Sequence, residues 1–209
     1  MSGDDDANLR ERLRDDPARF GEFVAARRDW LRRMVELRLD PRLRGRVDAS
    51  DVVQEGCAEA VARLPGWLAE RDGEEMPLHL WLRFITGQRL LQLHRLHLGA
   101  AMRDPRHEVS LDRATPDASA ATLAQAIAES GVLSPSGVAA RGELAGRLHA
   151  ALETMKPEDR EVLVLRHFEE LPNGDVARVL GLSPPAASQR YLRAARRLKE
   201  LLAELSGSR

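Results

Sequence analysis

The residues from Ser183 to Arg197, Ser-Pro-Pro-Ala-Ala-Ser-Gln-Arg-Tyr-Leu-Arg-Ala-Ala-Arg-Arg, carry side chains suited to reading nucleic acid. Gln and Arg make paired hydrogen bonds to base edges, and Arg also binds phosphate. At about 100° per residue along a helix, Ala187, Tyr191, Ala194, Leu198, Leu201 and Leu202 share one side. Ala186, Gln189, Arg193 and Arg196 point the other way, with Ser188, Arg190 and Arg197 on the flanks. That division gives a helix that packs on one side and offers hydrogen-bond donors and positive charge on the other. The chemistry on offer is recognition rather than catalysis.

Such a helix needs a partner to hold it at the surface. The stretch Asn173-Gly-Asp-Val-Ala-Arg-Val-Leu-Gly-Leu-Ser-Pro-Pro supplies one. Asn173 is expected to cap a short helix to Leu180. Gly181 is expected to end it in the left-handed conformation. Ser183 then caps a second helix, with Pro184 at its first position and Pro185 at its second, where neither missing N–H leaves a helical bond unmade. Ala177 and Gly181 are small and four apart, which permits close helix contact. The sequence therefore predicts a helix-turn-helix, a unit that places its second helix in the major groove.

Composition sets the class. Of 209 residues, 43% are apolar, 31% charged and only 4% aromatic, and Ala, Leu, Arg and Glu dominate, which favours an all-α fold. Cys57 is the single cysteine, so the sequence allows no internal disulfide and no zinc-ligand spacing. No apolar run approaches the roughly 20 residues of a membrane span, and the N-terminal Met-Ser-Gly-Asp-Asp-Asp is acidic rather than a signal peptide. A cytoplasmic protein without membrane insertion is expected. The formal net charge is −1, yet the charge is segregated. Met76 to Arg103 has no acid but holds Arg83, Arg89, Arg95, Arg103, His79, His94 and His97. Leu182 to Lys199 is also acid-free, with Arg190, Arg193, Arg196, Arg197 and Lys199. Two such stretches are the local footprint of a nucleic-acid binder, although each also fits a solvated helix face. Nothing assembles a nucleophile, a base and an oxyanion site. His79, His94, His97, His107, His149 and His167 are scattered, and His94 and His97 lack a third ligand for a metal. No enzyme, cofactor, metal or small-molecule substrate is expected.

Hydrophobic periodicity predicts two small helical domains. An acidic tail occupies residues 1–16. The first domain, 17–103, contains a helical region from about Pro17 to Leu39 and a further helix from near Asp48 that stops at Pro65-Gly66. A third runs from Pro77 to about Ala101. Trp81 lies on its apolar stripe and is expected in the core. Residues 104–141 hold Pro105, Pro116 and Pro135 and read as a flexible linker, with a short helix over Ala118 to Glu129. The second domain, 142–204, holds a helix from Glu143 to Glu153, another opened by Pro157-Glu158-Asp159, and the helix-turn-helix; 205–209 is a tail.

Three segments carry a family resemblance. Asp48-Ala-Ser-Asp-Val-Val-Gln-Glu55 resembles the region 2 motif D-x-x-D-(L/V)-V-Q-E of bacterial RNA polymerase sigma factors. Trp81-Leu82 and Ile85, then Arg89-Leu-Leu-Gln-Leu-His-Arg95, resemble the helix that the family uses on the −10 element. Leu152 to Arg166 and the helix-turn-helix resemble region 4, which reads the −35 element. Order and spacing are similar to the extracytoplasmic-function (group IV) class. The resemblance implies a non-enzymatic subunit that binds core RNA polymerase and directs it to promoter DNA. It places Asp48, Asp51, Gln54 and Glu55 against the largest-subunit clamp. It puts the Glu158 to Phe168 helix against the flap of the second-largest subunit. For the −10 strand, Arg89, His94 and Arg95 are the expected backbone contacts; for −35 the expected set is Ser188, Gln189, Arg190, Arg193, Arg196 and Arg197. Family members are often held by an anti-sigma factor, which the resemblance implies as a further partner.

Gln88, Gln92, Ala186, Ala187 and Ser188 depart from residues common in the family and leave the promoter sequence open. The alternative is a free-standing helix-turn-helix regulator whose first domain dimerises or senses a ligand. The acidic motif and the second basic stretch count against it.

Overall fold

The computed structural model describes residues 3–69, 76–98, 115–116, 118–129 and 138–207. These residues are all-α: ten α-helices, one short 3-10 turn at Pro41–Leu43, and no strand beyond an isolated bridge between Arg44 and Val47. They divide into two compact units. The first comprises Met1–Val35 and Arg42–Pro116, the second Glu36–Pro41 and Asp117–Arg209.

The first unit contains α1 (Gly3–Asp15), α2 (Arg19–Ala25), most of α3 (Arg28–Arg38), α4 (Ala49–Ala69) and α5 (Leu78–Leu98). The expected acidic tail is the helix α1. Arg10 and Leu13 lie three apart and so share a face. Leu13 is fully buried, and the Arg10 guanidinium stacks 4.0 Å over the Trp67 ring. Arg14 adds a 2.8 Å hydrogen bond to the Leu68 carbonyl, fixing α1 on the end of α4.

The helical region expected from about Pro17 to Leu39 comprises two helices. At Arg27 the backbone N–H bonds to the Val24 carbonyl, a tightened turn that closes α2. Arg27 then lies over the Phe23 ring at 3.6 Å, while Phe20 and Phe23 are buried.

Proline does not stop α4 as expected. Pro65 sits inside it, and the helix continues to Ala69. Leu64 and Trp67 flank the proline and are buried, with the Trp67 ring 5.8 Å from that of Trp81. Val61, whose carbonyl loses its helical donor to the proline ring, is exposed, so water can satisfy it. Packing thus outweighs the local break. Trp81, expected in the core, is half-buried; its ring joins this aromatic cluster and also meets Phe20.

Helices α4 and α5 approach closely at Gly56. A Cβ there would lie 2.8 Å from Thr86 Oγ1 and 2.9 Å from Thr86 Cα. Only glycine allows the two backbones this approach.

The second unit holds α6 (Ala120–Glu129), α7 (Val138–Glu153), α8 (Pro157–His167), α9 (Asn173–Leu180) and α10 (Pro184–Gly207). The short helix expected inside the linker exists as α6, capped by Ser119, whose Oγ accepts the Thr122 N–H at 3.0 Å. It buries Ala120, Leu123, Ala124 and Ala128, with Ala118 buried just before it, and it packs on α7. This part of the 104–141 segment is therefore core, because a stripe of alanines and one leucine suffices to seat a short helix. Residues 104–114 lie outside the described residues.

Within this unit Arg38 is enclosed. Its guanidinium pairs with Glu161 of α8 and, at 2.6 Å, with Glu169; all three side chains are buried. Glu161 also accepts the Ala118 N–H at 3.2 Å. Burial opposes the charge of Arg38, but the two carboxylates outweigh it and raise its pKa above the ordinary arginine range.

Candidate nucleic-acid interface and docking face

Helix α9 ends as the sequence implies. Gly181 adopts φ 62° and ψ 36°, and the Leu182 N–H reaches back to the Ala177 carbonyl at 2.8 Å. Ser183 Oγ then accepts the Ala186 N–H at 3.3 Å, and α10 opens on Pro184 with Pro185 second. The consecutive prolines start a helix rather than stop one.

Asn173 does something different from its expected role. It is the first residue of α9, whose cap is Pro172 with no side-chain cap bond. Its side-chain amide instead donates to the Pro184 carbonyl at 2.8 Å. It ties the start of one helix to the start of the next, a function invisible in local capping rules.

Along α10, Ala187, Ala194 and Leu201 are buried at seven-residue spacing and seat the helix. Tyr191 is half-buried, and its hydroxyl meets His167 Nε2 at 3.1 Å, pinning α10 to α8. Opposite this seam Ala186, Gln189, Arg193 and Arg196 are exposed, and Ser188 and Arg190 are half-buried on the flanks. Arg197 is exposed but lies 3.4 Å from Glu200, so part of its charge is met within the helix. Among the described residues, no ion pair involves Arg190, Arg193 or Arg196. The free cations and the exposed amide therefore share one face.

Asp48, just before α4, and Asp51, Gln54 and Glu55 on it are all exposed. Asp48 serves first as a cap, accepting the Ser50 N–H at 2.6 Å. The i, i+4 spacing of Asp51 and Glu55 keeps both carboxylates on one side. Beside them, a cleft of about 420 Å³ between α4 and α5 is lined by Glu55, Glu59, Arg63, Gln88, Arg89 and Gln92, among others. Arg89 spans it, 2.5 Å from Glu55 and 3.2 Å from Gln92 Oε1.

The −10 set needs revision. Arg95 is exposed and Arg89 half-exposed, but His94 is only 5% exposed. Its place on α5 points it into the helix packing, so it does not face a DNA backbone. Arg83 is likewise buried, which thins the basic face that the acid-free stretch promised. Arg103 lies outside the described residues. Sequence reasoning missed the Arg38, Glu161 and Glu169 cluster, because the partners stand far apart in the chain and each looks like an ordinary surface charge. No described helix is long and apolar enough to cross a membrane. Among the described residues, no group of three or more His, Cys, Asp or Glu is placed to hold a metal ion.

Fold and site define an all-α protein with a C-terminal helix-turn-helix whose second helix presents arginine and glutamine. Residues 145–198 match the family model described as Sigma-70, region 4. That segment, which holds the helix-turn-helix, is therefore similar to sigma-70 region 4. The fold is similar to that of CnrH, solved in complex with the cytosolic domain of CnrY. The TM-score is 0.53 and the identity 22%, over 95% of this chain and 97% of that one. No curated protein matches the chain.

Proposed function

We propose that the chain is a sigma factor of the extracytoplasmic-function class. It binds core RNA polymerase and directs promoter-specific initiation without being an enzyme. In this reading the first unit docks on the polymerase clamp through Asp48, Asp51, Gln54 and Glu55 and engages the −10 strand through Arg89 and Arg95. The second unit reads the −35 element through the exposed face of α10. Its flap contact lies on α8. A cytoplasmic location and an anti-sigma partner belong to the same proposal. The fold shared with CnrH, a protein solved with the cytosolic domain of CnrY, supports capture of this architecture by a second protein.

The observation that carries the reading is the coincidence of two things on residues 145–198. The region 4 match covers this segment, and within it Gln189, Arg193 and Arg196 stand exposed opposite a buried seam. An amide and unpaired guanidiniums on the outward face of a second helix suit base edges and phosphates in a major groove.

The test is reconstitution. The chain mixed with core polymerase should co-elute as a stoichiometric complex and support run-off transcription from members of a promoter library. Gln189→Ala with Arg193→Ala should then lower −35-dependent transcription while the polymerase complex persists. Absence of a complex sinks the sigma-factor reading and leaves a free-standing regulator. Unchanged transcription by the double variant refutes the face assignment alone.

A further inference from the structure

One exposed residue of α10 does not fit a purely polar surface. Leu192 is 54% exposed, although most large apolar residues of this unit are buried. It is five residues after Ala187 and two before Ala194, so it lies about 140° and 160° around the helix from these buried positions. That places it near the middle of the outward face, three residues from Gln189, next to Arg193 and four residues before Arg196. A single exposed leucine is ordinary on a protein surface. Its position here is not, because Ser188, Gln189 and Arg196, three of its four neighbours at helical spacing, are hydrogen-bonding or charged groups suited to DNA, and only the half-buried Ala195 is apolar.

We infer that Leu192 is a specificity-determining residue that contacts the C5 methyl of a thymine in the major groove. The inference rests on the proposed −35 reading and deepens it. The edge of a base pair offers donors, acceptors and one apolar group, the thymine methyl. Arg193 and Arg196 bring the helix to the phosphates by charge, and Gln189 suits a donor–acceptor pair. An aliphatic side chain among them finds a matching surface only at that methyl. Ala186, exposed six residues earlier, is too short to compete at the same depth.

Deoxyuridine isolates the effect, because it pairs and hydrogen-bonds as thymine does and lacks only the methyl. The holoenzyme first selects its preferred −35 duplex from a randomised pool. Each thymine of that segment, on either strand, is then replaced singly by deoxyuridine, and affinity is measured for the wild-type chain and for Leu192→Ala. At one position the wild type should lose about fourfold, the value of one methylene-sized group removed from apolar contact. Leu192→Ala should lose affinity for the thymine duplex and show no difference between thymine and uracil there. Leu192→Met should retain most of the preference. A wild type indifferent to uracil at every position overturns the inference. So does a Leu192→Ala variant that keeps the full preference, or a selected segment that contains no thymine. Failure to select any sequence is a different result: it removes the −35 reading itself, and this inference with it.

Discussion

The close approach at Gly56 gives a sharp test of how α4 is held. Gly56→Ala would set a Cβ 2.8 Å from Thr86 Oγ1 and 2.9 Å from Thr86 Cα. The hydroxyl is not free to turn away, since it donates to the Leu82 carbonyl at 2.9 Å, and the Cα is backbone. The clash must be relieved by moving the helices apart. Overpacking of this kind costs about 1–3 kcal/mol. Alanine also gains about 1 kcal/mol over glycine in helix propensity. Gly66 lies in the same helix, and a Cβ there would meet nothing within 4 Å, so Gly66→Ala collects the propensity gain alone. The expectation is a stabilised Gly66→Ala and a neutral to destabilised Gly56→Ala, separated by about 1–3 kcal/mol. Thr86→Ala should rescue Gly56→Ala only in part, because the clash with the α5 backbone remains. Urea unfolding followed by tryptophan emission is the assay. Trp30, Trp67 and Trp81 are the chain's three tryptophans and all belong to the first unit, so the signal reports that unit alone. Equal midpoint shifts for the two alanine variants would refute the close-packing argument.

Arg38→Met removes the cation between Glu161 and Glu169 in their buried cluster and should destabilise the second unit by about 3–5 kcal/mol in thermal unfolding followed by circular dichroism. Adding Glu161→Gln and Glu169→Gln should recover much of that loss; no recovery would show that the charges are not the cause. Burial pushes the Cys57 thiol above its ordinary range, with Arg28 opposing weakly. Its alkylation by iodoacetamide should therefore need a higher pH in the native chain than in urea. Because the unfolded thiol ionises first, this group's contribution to stability is intact at neutral pH and declines as pH climbs from the ordinary thiol range toward the raised native value. Identical pH–rate curves in the two states would refute the burial argument. Asp51→Lys should weaken the polymerase complex in a binding titration, by an amount that shrinks with added salt; unchanged affinity would remove Asp51 from the docking face.

The helix-turn-helix was legible because its determinants are local. Gly181 needs its own left-handed φ, Ser183 caps its own helix, and a proline is tolerated in the first turn whatever surrounds it. The outward face of α10 followed from angle alone, since one seam of Ala187, Ala194 and Leu201 fixes the rotation. What failed is what depends on partners. Pro65 looks like a stop until Trp67 has a cluster to join. The acidic N-terminus looks like a tail until Leu13 and Arg10 find the end of α4. His94 sits in a basic run that reads as surface, yet four residues earlier Leu90 is fully buried on the same side of α5, and the histidine follows it inward. Asn173 has the right chemistry for a cap and uses it across the turn instead.

The two basic stretches, alike in composition, differ in what meets their charge. On α10, Arg193 and Arg196 have no ion pair among the described residues, so their charge is available to phosphate at once. On α5, Arg83 is buried and Arg89 lies 2.5 Å from Glu55. Glu55 is one of the residues proposed for docking, and Arg89 one of those proposed for DNA. The two proposed roles therefore answer to each other. At 37% and 48% exposure the pair is worth no more than about 1 kcal/mol, weak enough for a basic group of a partner to displace Arg89 from the carboxylate. Asp51 makes no such pair with Arg89. On the proposed reading, a change at Asp51 would report on docking alone, whereas a change at Glu55 would both weaken docking and release Arg89 toward DNA. An effect of Glu55→Gln on a complete promoter complex smaller than its effect on polymerase binding would follow directly from that geometry.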